Sequence, residues 1–371
     1  DGVINCMHNY CVNAVNDAEV TAIAPAYKGY SDEYPYKIIR CKSFYFPILD
    51  VQYGQATRDK KFTEKILSQK FDIVHIHSPF NMAKFALKVA KAQGIPAVAT
   101  FHTNMRPIFV QAVKWKWLAE RLVQSLGRRY NQYDEIFVCS PPVAEQCRSY
   151  GYKGRISYLP FGTNIPKCNE KDELRKKANE TFGWKDDELV FVFVGRIEKL
   201  KRIDFILDSL KILKDRGVKF RFNAVGKGSD FKKLIKYKRK LGFTDDEVNF
   251  TGFVDAETFP LYYARADMLL FPSLYDNFGL VKVEAAAFDT PGIFIENSCA
   301  GYGVTDGVNG YLSADNPTAF AERILSAVSD RAALKQVGEQ AGKDLYVSWK
   351  DCTEQFIARL KEVVERFNNG E

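Results

Sequence analysis

The sequence predicts an α/β fold of two doubly wound, parallel-sheet domains in tandem, on three observations. Short β-branched runs alternate with helical stretches from residue 19 to residue 160, the rhythm of a parallel sheet with helices on both faces. The rhythm breaks over residues 164–186, where Pro166 and a charge-rich stretch carry no strand character, and then begins again. A length of 371 residues suits two domains better than one.

In the first half, strands are expected at 19–25, 37–44, 72–77, 97–103, 135–140 and 155–160, with helices at 62–70, 82–93, 110–126 and 143–150. The break reads as a linker leading into a polar helix. Beyond it, strands fit 189–197, 220–225, 248–253, 268–274 and 292–296, and helices fit 202–215, 230–241, 255–266, 281–287 and 317–329. A long amphipathic helix, 349–366, ends the chain. The resulting domains are 1–164 and 165–345, with 346–371 expected to cross back to the first. Open sheets of this kind bind ligands outside the carboxyl ends of their strands. Two such crevices facing each other would form one cleft, which suits an enzyme joining two substrates.

Composition narrows the class. An apolar fraction of 46% and 27% charged residues, spread along the chain, argue against disorder. No apolar run approaches the ~18–20 residues of a membrane span. The eight cysteines form no Cys-x-x-Cys pair, which disfavours a zinc ribbon, a thioredoxin-type motif and a disulfide scaffold, and favours a reduced, cytoplasmic setting. The net charge of +7 is too diffuse to argue for nucleic acid.

The strongest local signal is Gly195-Arg196-Ile197-Glu198-Lys199-Leu200-Lys201, directly after an apolar strand. Glycine at a strand end lets a ligand approach the backbone closely, and Arg196 and Lys201 at the sheet's carboxyl edge suit a diphosphate. A solvated basic turn is the alternative. The second signal is Asp276-Asn277-Phe278-Gly279-Leu280-Val281-Lys282-Val283-Glu284, in which two carboxylates eight apart bracket a glycine turn into a helix. A helix start is an anion site, and Glu284, about two turns on, reaches hydroxyls such as those of a ribose. The alternative is a cap at Asp276 and a surface Glu284. Gly226, in Val225-Gly226-Lys227-Gly228-Ser229, and Phe253, after Gly252, would place backbone against a nucleobase; either turn also reads as ordinary.

These residues resemble those of glycosyltransferase family 4, retaining sugar-nucleotide enzymes of the GT-B architecture, and the resemblance runs over essentially the whole chain. Arg196 and Lys201 match the family's Gly-Arg-x4-Lys diphosphate motif. Asp276 and Glu284 match its Glu-x7-Glu motif, with Asp in place of the first Glu. The resemblance implies that Asp276 meets the donor sugar's hydroxyls and Glu284 the ribose, with backbone amides offered by Phe278, Gly279 and Leu280. Thr100-Phe101-His102-Thr103 is similar to the family's active-site histidine turn, which puts His102 near the transferred sugar. Asp1-Gly2-Val3 looks like the end of the first glycine loop, whose backbone meets the donor phosphate; the strand expected before it would lie upstream of residue 1. The first domain is then the acceptor side and the second the nucleotide-sugar side.

The resemblance implies transfer of a hexose from a nucleoside diphosphate, UDP-glucose or UDP-galactose favoured, to a hydroxyl with retention. Cations at the leaving diphosphate should make a metal or other cofactor unnecessary, and no Asp-x-Asp motif sits at a strand end. Double displacement needs a carboxylate nucleophile paired with an acid about 5 Å away; no residue is nominated for it, and a front-face route fits the family better. Enzymes resembling this one include those that glucosylate or galactosylate diacylglycerol, and Thr305-Asp306-Gly307-Val308-Asn309-Gly310 has a similar look. Lys114, Arg121 and Arg128 are seven apart and would share one stripe of a helix, and with Trp115, Lys116 and Trp117 they suit an anionic membrane surface. Two packed tryptophans on a solvated face is the competing reading. The basic run 232–240 reads as an exposed helix face, and His75 and His77 as packed strand residues. A polysaccharide or small-molecule acceptor remains an alternative, as do a nucleotide-sugar epimerase and a non-catalytic nucleotide-binding protein.

Overall fold

The computed structural model describes residues 2–46, 51–113 and 115–371. The chain forms two compact units: one runs to Phe161 and takes back Trp349–Glu371, and the other is Gly162–Ser348.

The second unit is a six-stranded all-parallel sheet in the spatial order Val248–Gly252, Arg221–Val225, Val190–Val194, Met268–Phe271, Gly292–Ile295, Tyr311–Ser313. In chain order that is 3-2-1-4-5-6, so the direction of winding reverses between Val190–Val194 and Met268–Phe271. Val-Phe-Val-Phe-Val at 190–194 is buried along its whole length, as a central strand covered on both faces requires. The helix Ile203–Asp215 packs on it through Ile203, Ile206, Leu207, Leu210 and Leu213, the three-and-four spacing of one helical face. Asn316 caps the helix Pro317–Val328, its side chain accepting from the Ala319 N–H at 2.7 Å with proline in the first turn. Tyr311–Ser313 and the helix Arg331–Asp344 were not expected.

The first unit differs more from expectation. Its main sheet is parallel, in the order Val74–Ile76, Ala97–Thr100, Glu135–Val138, Arg155–Tyr158. The expected strand 37–44 is two strands. Lys37–Cys41 pairs in parallel with Thr21–Pro25, whereas Ser43–Phe46 forms an antiparallel pair with Val51–Gly54. Between them the Lys42 N–H leaves both ladders and donates to the Asp59 carboxylate at 3.0 Å. The expected helix 110–126 is likewise two, Met105–Val113 and Lys116–Tyr130, with Trp115 extended at the second helix's start. Gly2, expected in a loop, opens the helix Gly2–Ala14, which buries Cys6, Tyr10 and Ala14, four residues apart. Asp1 and Lys114 lie outside the described residues. In the 232–240 run, Lys238 is buried and paired with Asp245, so that face is not uniformly exposed.

The terminal helix Trp349–Asn368 packs against Gly2–Ala14, with the Tyr10 and Phe356 rings 4.3 Å apart. It also supplies two arginines to Glu135, a fully buried carboxylate in the sheet: Arg359 donates at 2.8 and 2.9 Å, Arg366 donates to the other oxygen, and Ser157 adds a hydroxyl. Burial raises the Glu135 pKa, but these donors outweigh it and hold it below the usual glutamate range. A carboxylate with a depressed pKa stabilises the fold near neutrality and loses that contribution as pH falls through the depressed value. The double variant Arg359→Ala/Arg366→Ala is therefore expected to cost roughly 3–5 kcal/mol near neutral pH, since it strands a buried charge. Urea denaturation should show that deficit shrinking as the pH is lowered and Glu135 is protonated.

Candidate active site

Where the winding of the second unit reverses, the loops after its two central strands are fastened to each other. Lys201 donates to the Asp276 carboxylate, the Ser273 hydroxyl donates to the Leu200 carbonyl at 3.4 Å, and Arg202 donates to the Pro272 carbonyl at 3.3 Å. Arg202 has φ +56°, an uncommon conformation for a side chain of its size, and stands as cap to the helix Ile203–Asp215. Its guanidinium lies 4.4 Å from the Phe205 ring. These contacts hold the strained turn and with it the position of Lys201, whose ammonium sits 5.7 Å from the Phe271 ring.

Lys201 and Asp276 are each about one-fifth exposed, so the pair faces solvent on one side. Arg196 is 70% exposed and pairs with Glu198 at 3.2 Å. At this edge Lys201 is thus paired within the cleft of the two loops, whereas Arg196 extends into solvent. Neighbouring strand ends are stripped of side chains. At Gly226 (φ +137°) an added Cβ would fall 2.0 Å from the Gly195 carbonyl oxygen, so only glycine lets these strand ends approach. The Gly226 N–H donates to the Gly252 carbonyl at 2.9 Å, and Phe253 follows with its ring 80% exposed.

After Asp276, Asn277 is buried and the Phe278 ring lies 5.4 Å from the Lys282 ammonium. Gly279 (φ +69°) turns the chain into the helix Leu280–Ala287, at whose start the Lys282 N–H donates to the Gly279 carbonyl at 2.9 Å and the first N–H groups have no carbonyl of their own helix to meet. Lys282 is not a ligand candidate: it is buried and donates to the Ala300 and Tyr302 carbonyls at 2.9 and 2.5 Å. Glu284 is no surface residue. Its carboxylate accepts the Tyr263 hydroxyl at 2.7 Å, and burial raises its pKa, a push that this hydrogen bond only partly opposes.

In the first unit His102 follows the strand Ala97–Thr100. Its Nε2 is 2.8 Å from His77 Nδ1, and its ring stacks on Phe161 at 5.5 Å. His75, two residues before His77, meets the Thr100 hydroxyl at 2.7 Å. Burial lowers the His77 pKa to about 4, and burial together with the neighbouring His77 imidazole holds that of His102 well below the usual histidine value. Both rings are neutral at physiological pH. Cys6, on Gly2–Ala14, lies beside them, so that its sulfur and one nitrogen of each ring fall within 4.8 Å of one another.

Comparison with known proteins decides the family. Residues 2–165 match the family described as Glycosyltransferase Family 4, and residues 174–344 match Glycosyl transferases group 1. The chain belongs to glycosyltransferase family 4. An alpha-monoglucosyldiacylglycerol synthase of Acholeplasma laidlawii is 29% identical over 269 residues, 69% of this chain and 67% of that protein. A D-inositol 3-phosphate glycosyltransferase of Streptomyces avermitilis is 29% identical over 292 residues, 74% of this chain and 61% of that one. The chain thus spans about two thirds of the length of these relatives. Among solved structures, Anabaena Alr3699/HepE in complex with UDP and glucose aligns over 98% of this chain and 96% of its own (TM-score 0.76, 16% identity). Sucrose-phosphate synthase from Thermosynechococcus elongatus aligns over 97% and 92% (TM-score 0.74, 17% identity). The fold is GT-B, with two Rossmann-like domains.

Within this glycosyltransferase, the second unit brings Gly195, Arg196, Lys201, Gly226, Phe253, Asp276 and Gly279 to one sheet edge. Arg202 and Tyr263 escaped the sequence reading; both do their work through contacts distant in sequence. The acidic Asp186 belongs to a structural contact, accepting from Arg175 at 2.9 Å. Asn309, in the 305–310 turn, holds the Thr305 N–H and Asp344, so that turn serves the fold. The tryptophans Trp115 and Trp117 are not packed: they are 63% and 60% exposed, stacked on each other with centroids 6.4 Å apart. Lys116, Arg121 and Arg128 are exposed on the same helix, and Arg121 and Arg128 keep the expected seven-residue spacing, while Lys114 of the expected stripe lies outside the described residues.

The raised pKa of Glu284 carries a prediction. An ionised Glu284 accepts hydroxyl protons, and its ionised fraction falls as pH drops through the raised value. Should a nucleotide bind at this edge, its affinity measured by calorimetry should weaken as pH falls through the raised value more steeply in the native enzyme than in Glu284→Gln, which lacks this titration. Parallel profiles for the two proteins would show that Glu284 meets no nucleotide hydroxyl.

Proposed function

We propose that this enzyme transfers a hexose from UDP-glucose or UDP-galactose to an acceptor hydroxyl with retention of anomeric configuration and without a metal ion. The observation that carries the reading is the Lys201–Asp276 pair at the reversal of the sheet, with the extended Arg196 on the same edge. An arriving donor finds both halves of that pair useful. The diphosphate takes the ammonium and Arg196, while the freed Asp276 carboxylate accepts sugar hydroxyls. As the glycosidic bond breaks, negative charge grows on the leaving phosphate, where the two cations are already placed. The Leu280–Ala287 helix start adds oriented N–H groups.

His102 serves the sugar. A neutral imidazole does not repel the positive charge that develops at the anomeric carbon, and burial keeps this one neutral. No carboxylate in the set is assigned as a nucleophile, so the leaving phosphate accepts the acceptor's proton on the same face. Gly226, Gly252 and Phe253 lie against the base and Glu284 against the ribose.

For the acceptor, the stacked Trp115 and Trp117 with Lys116, Arg121 and Arg128 favour an anionic membrane surface and a diacylglycerol or glycolipid hydroxyl. The name of the Acholeplasma relative supports that reading. No helix among the described residues is long and apolar enough to cross a membrane, so the contact would be peripheral. A shallow, open depression of about 530 Å³ beyond the strand Thr21–Pro25, where Lys28, Lys42, Ser43, Gln52 and Gln55 stand beside Ala26 and Tyr27, favours a second reading with a polyhydroxyl acceptor.

The test uses UDP-glucose and UDP-galactose with EDTA present, offering diacylglycerol in anionic vesicles and soluble polyols in parallel. Proton NMR should show an α-linked product, and Arg196→Ala should lower kcat by on the order of 10²–10³. Turnover of the donor with no acceptor would point to an epimerase. Activity that vanishes in EDTA and returns with manganese would overturn the metal-free reading.

A further inference from the structure

We propose that Cys6, His77 and His102 form a binding site for a soft divalent cation such as zinc, and that the bound ion inhibits transfer. The sulfur and the two nitrogens come from three separate elements: the helix Gly2–Ala14, the residue after the strand Val74–Ile76, and the loop after Ala97–Thr100. They lie within 4.8 Å of one another, against the ~3.3–3.6 Å between ligand atoms on one tetrahedral zinc, so a bound ion would draw them together. One proton between His77 Nδ1 and His102 Nε2 now joins the two rings at 2.8 Å. A tetrahedral ion bonded to both at ~2.0–2.1 Å needs the nitrogens about 3.3 Å apart, a small ring rotation. The Cys6 thiol loses its proton to solvent as the metal–sulfur bond forms.

The surroundings fix both the ligand number and the choice of ion. His75 does not join the set: although its ring lies 4.2 Å from that of His77, the ligand atoms within 4.8 Å of one another are those of Cys6, His77 and His102, and its Nε2 is engaged with the Thr100 hydroxyl. Tyr10, 6.4 Å from His77, and Phe161, stacked on His102, wall the cluster with aromatic rings. Three protein ligands leave one open position for water or a hydroxyl. One thiolate and two imidazoles select zinc, cobalt or cadmium over magnesium or calcium. Inhibition follows because an ion held on His102 puts positive charge where the transfer needs a neutral imidazole; this part rests on the function proposed above, whereas the ion site does not.

Cobalt(II) reports the site directly. Added to the metal-stripped full chain, it should bind once per chain with a thiolate-to-cobalt charge-transfer band and tetrahedral visible absorption. The band should vanish in Cys6→Ala and Cys6→Ser, and His77→Ala should weaken binding by ~10-fold or more. A near-ultraviolet circular dichroism spectrum like that of the native protein shows that each variant is folded. A missing thiolate band, or one that survives in both Cys6 variants, overturns the site. Zinc should then inhibit native transfer, and Cys6→Ser should need at least tenfold more zinc. Zinc bound without inhibition overturns the regulatory claim alone, and absence of transfer under all conditions overturns the proposed function while the cobalt spectrum still reads the site.

Discussion

The ion pair between Lys201 and Asp276 joins two loops that a doubly wound sheet necessarily leaves apart. Strands Val190–Val194 and Met268–Phe271 are neighbours, but the chain winds away from them in opposite directions, so their following loops diverge. One charge from each loop closes the gap. Because both groups keep a solvent-facing side, a ligand carrying an anion and hydroxyls can replace each partner's contact with one of its own. The pair therefore braces the two loops and, in the function proposed above, is the site that meets an anionic, hydroxyl-bearing donor.

The rest of the second unit holds that pair in register. Glycines at three adjacent strand ends allow backbone contacts a Cβ would forbid, as the 2.0 Å approach at Gly226 shows. Arg202 keeps a left-handed backbone beside Lys201, a conformation that costs of order 1–3 kcal/mol and persists because its guanidinium is held at Pro272 and Asp315. The first unit is organised by a different charge, Glu135, whose burial is tolerable only with the two arginines of the terminal helix.

Much of this was legible in the sequence. Each of the five expected strands of the second unit is present, because continuous apolar runs bounded by glycine or proline mark buried parallel strands. The 195–201 and 276–284 motifs were legible for the same reason: they follow those strands. Tyr311–Ser313, an edge strand of three residues, is too short to carry a periodic signal. The helix Gly2–Ala14 showed its face in Cys6, Tyr10 and Ala14, a spacing that could have been read. The Glu135 clamp could not have been, since its two arginines lie more than 200 residues away in the chain. The Cys6–His77–His102 cluster was hidden likewise: cysteine and histidine spacing read locally shows only His75 and His77 in one strand.

The central claim is that a cationic sheet edge, without a metal, receives a nucleoside diphosphate. Calorimetric titration of the chain with UDP in EDTA tests it most directly, with Lys201→Ala alongside. The account predicts micromolar, metal-free binding that is lost or severely weakened in the variant. Binding that appears only when manganese is added, or that Lys201→Ala leaves unchanged, would contradict it.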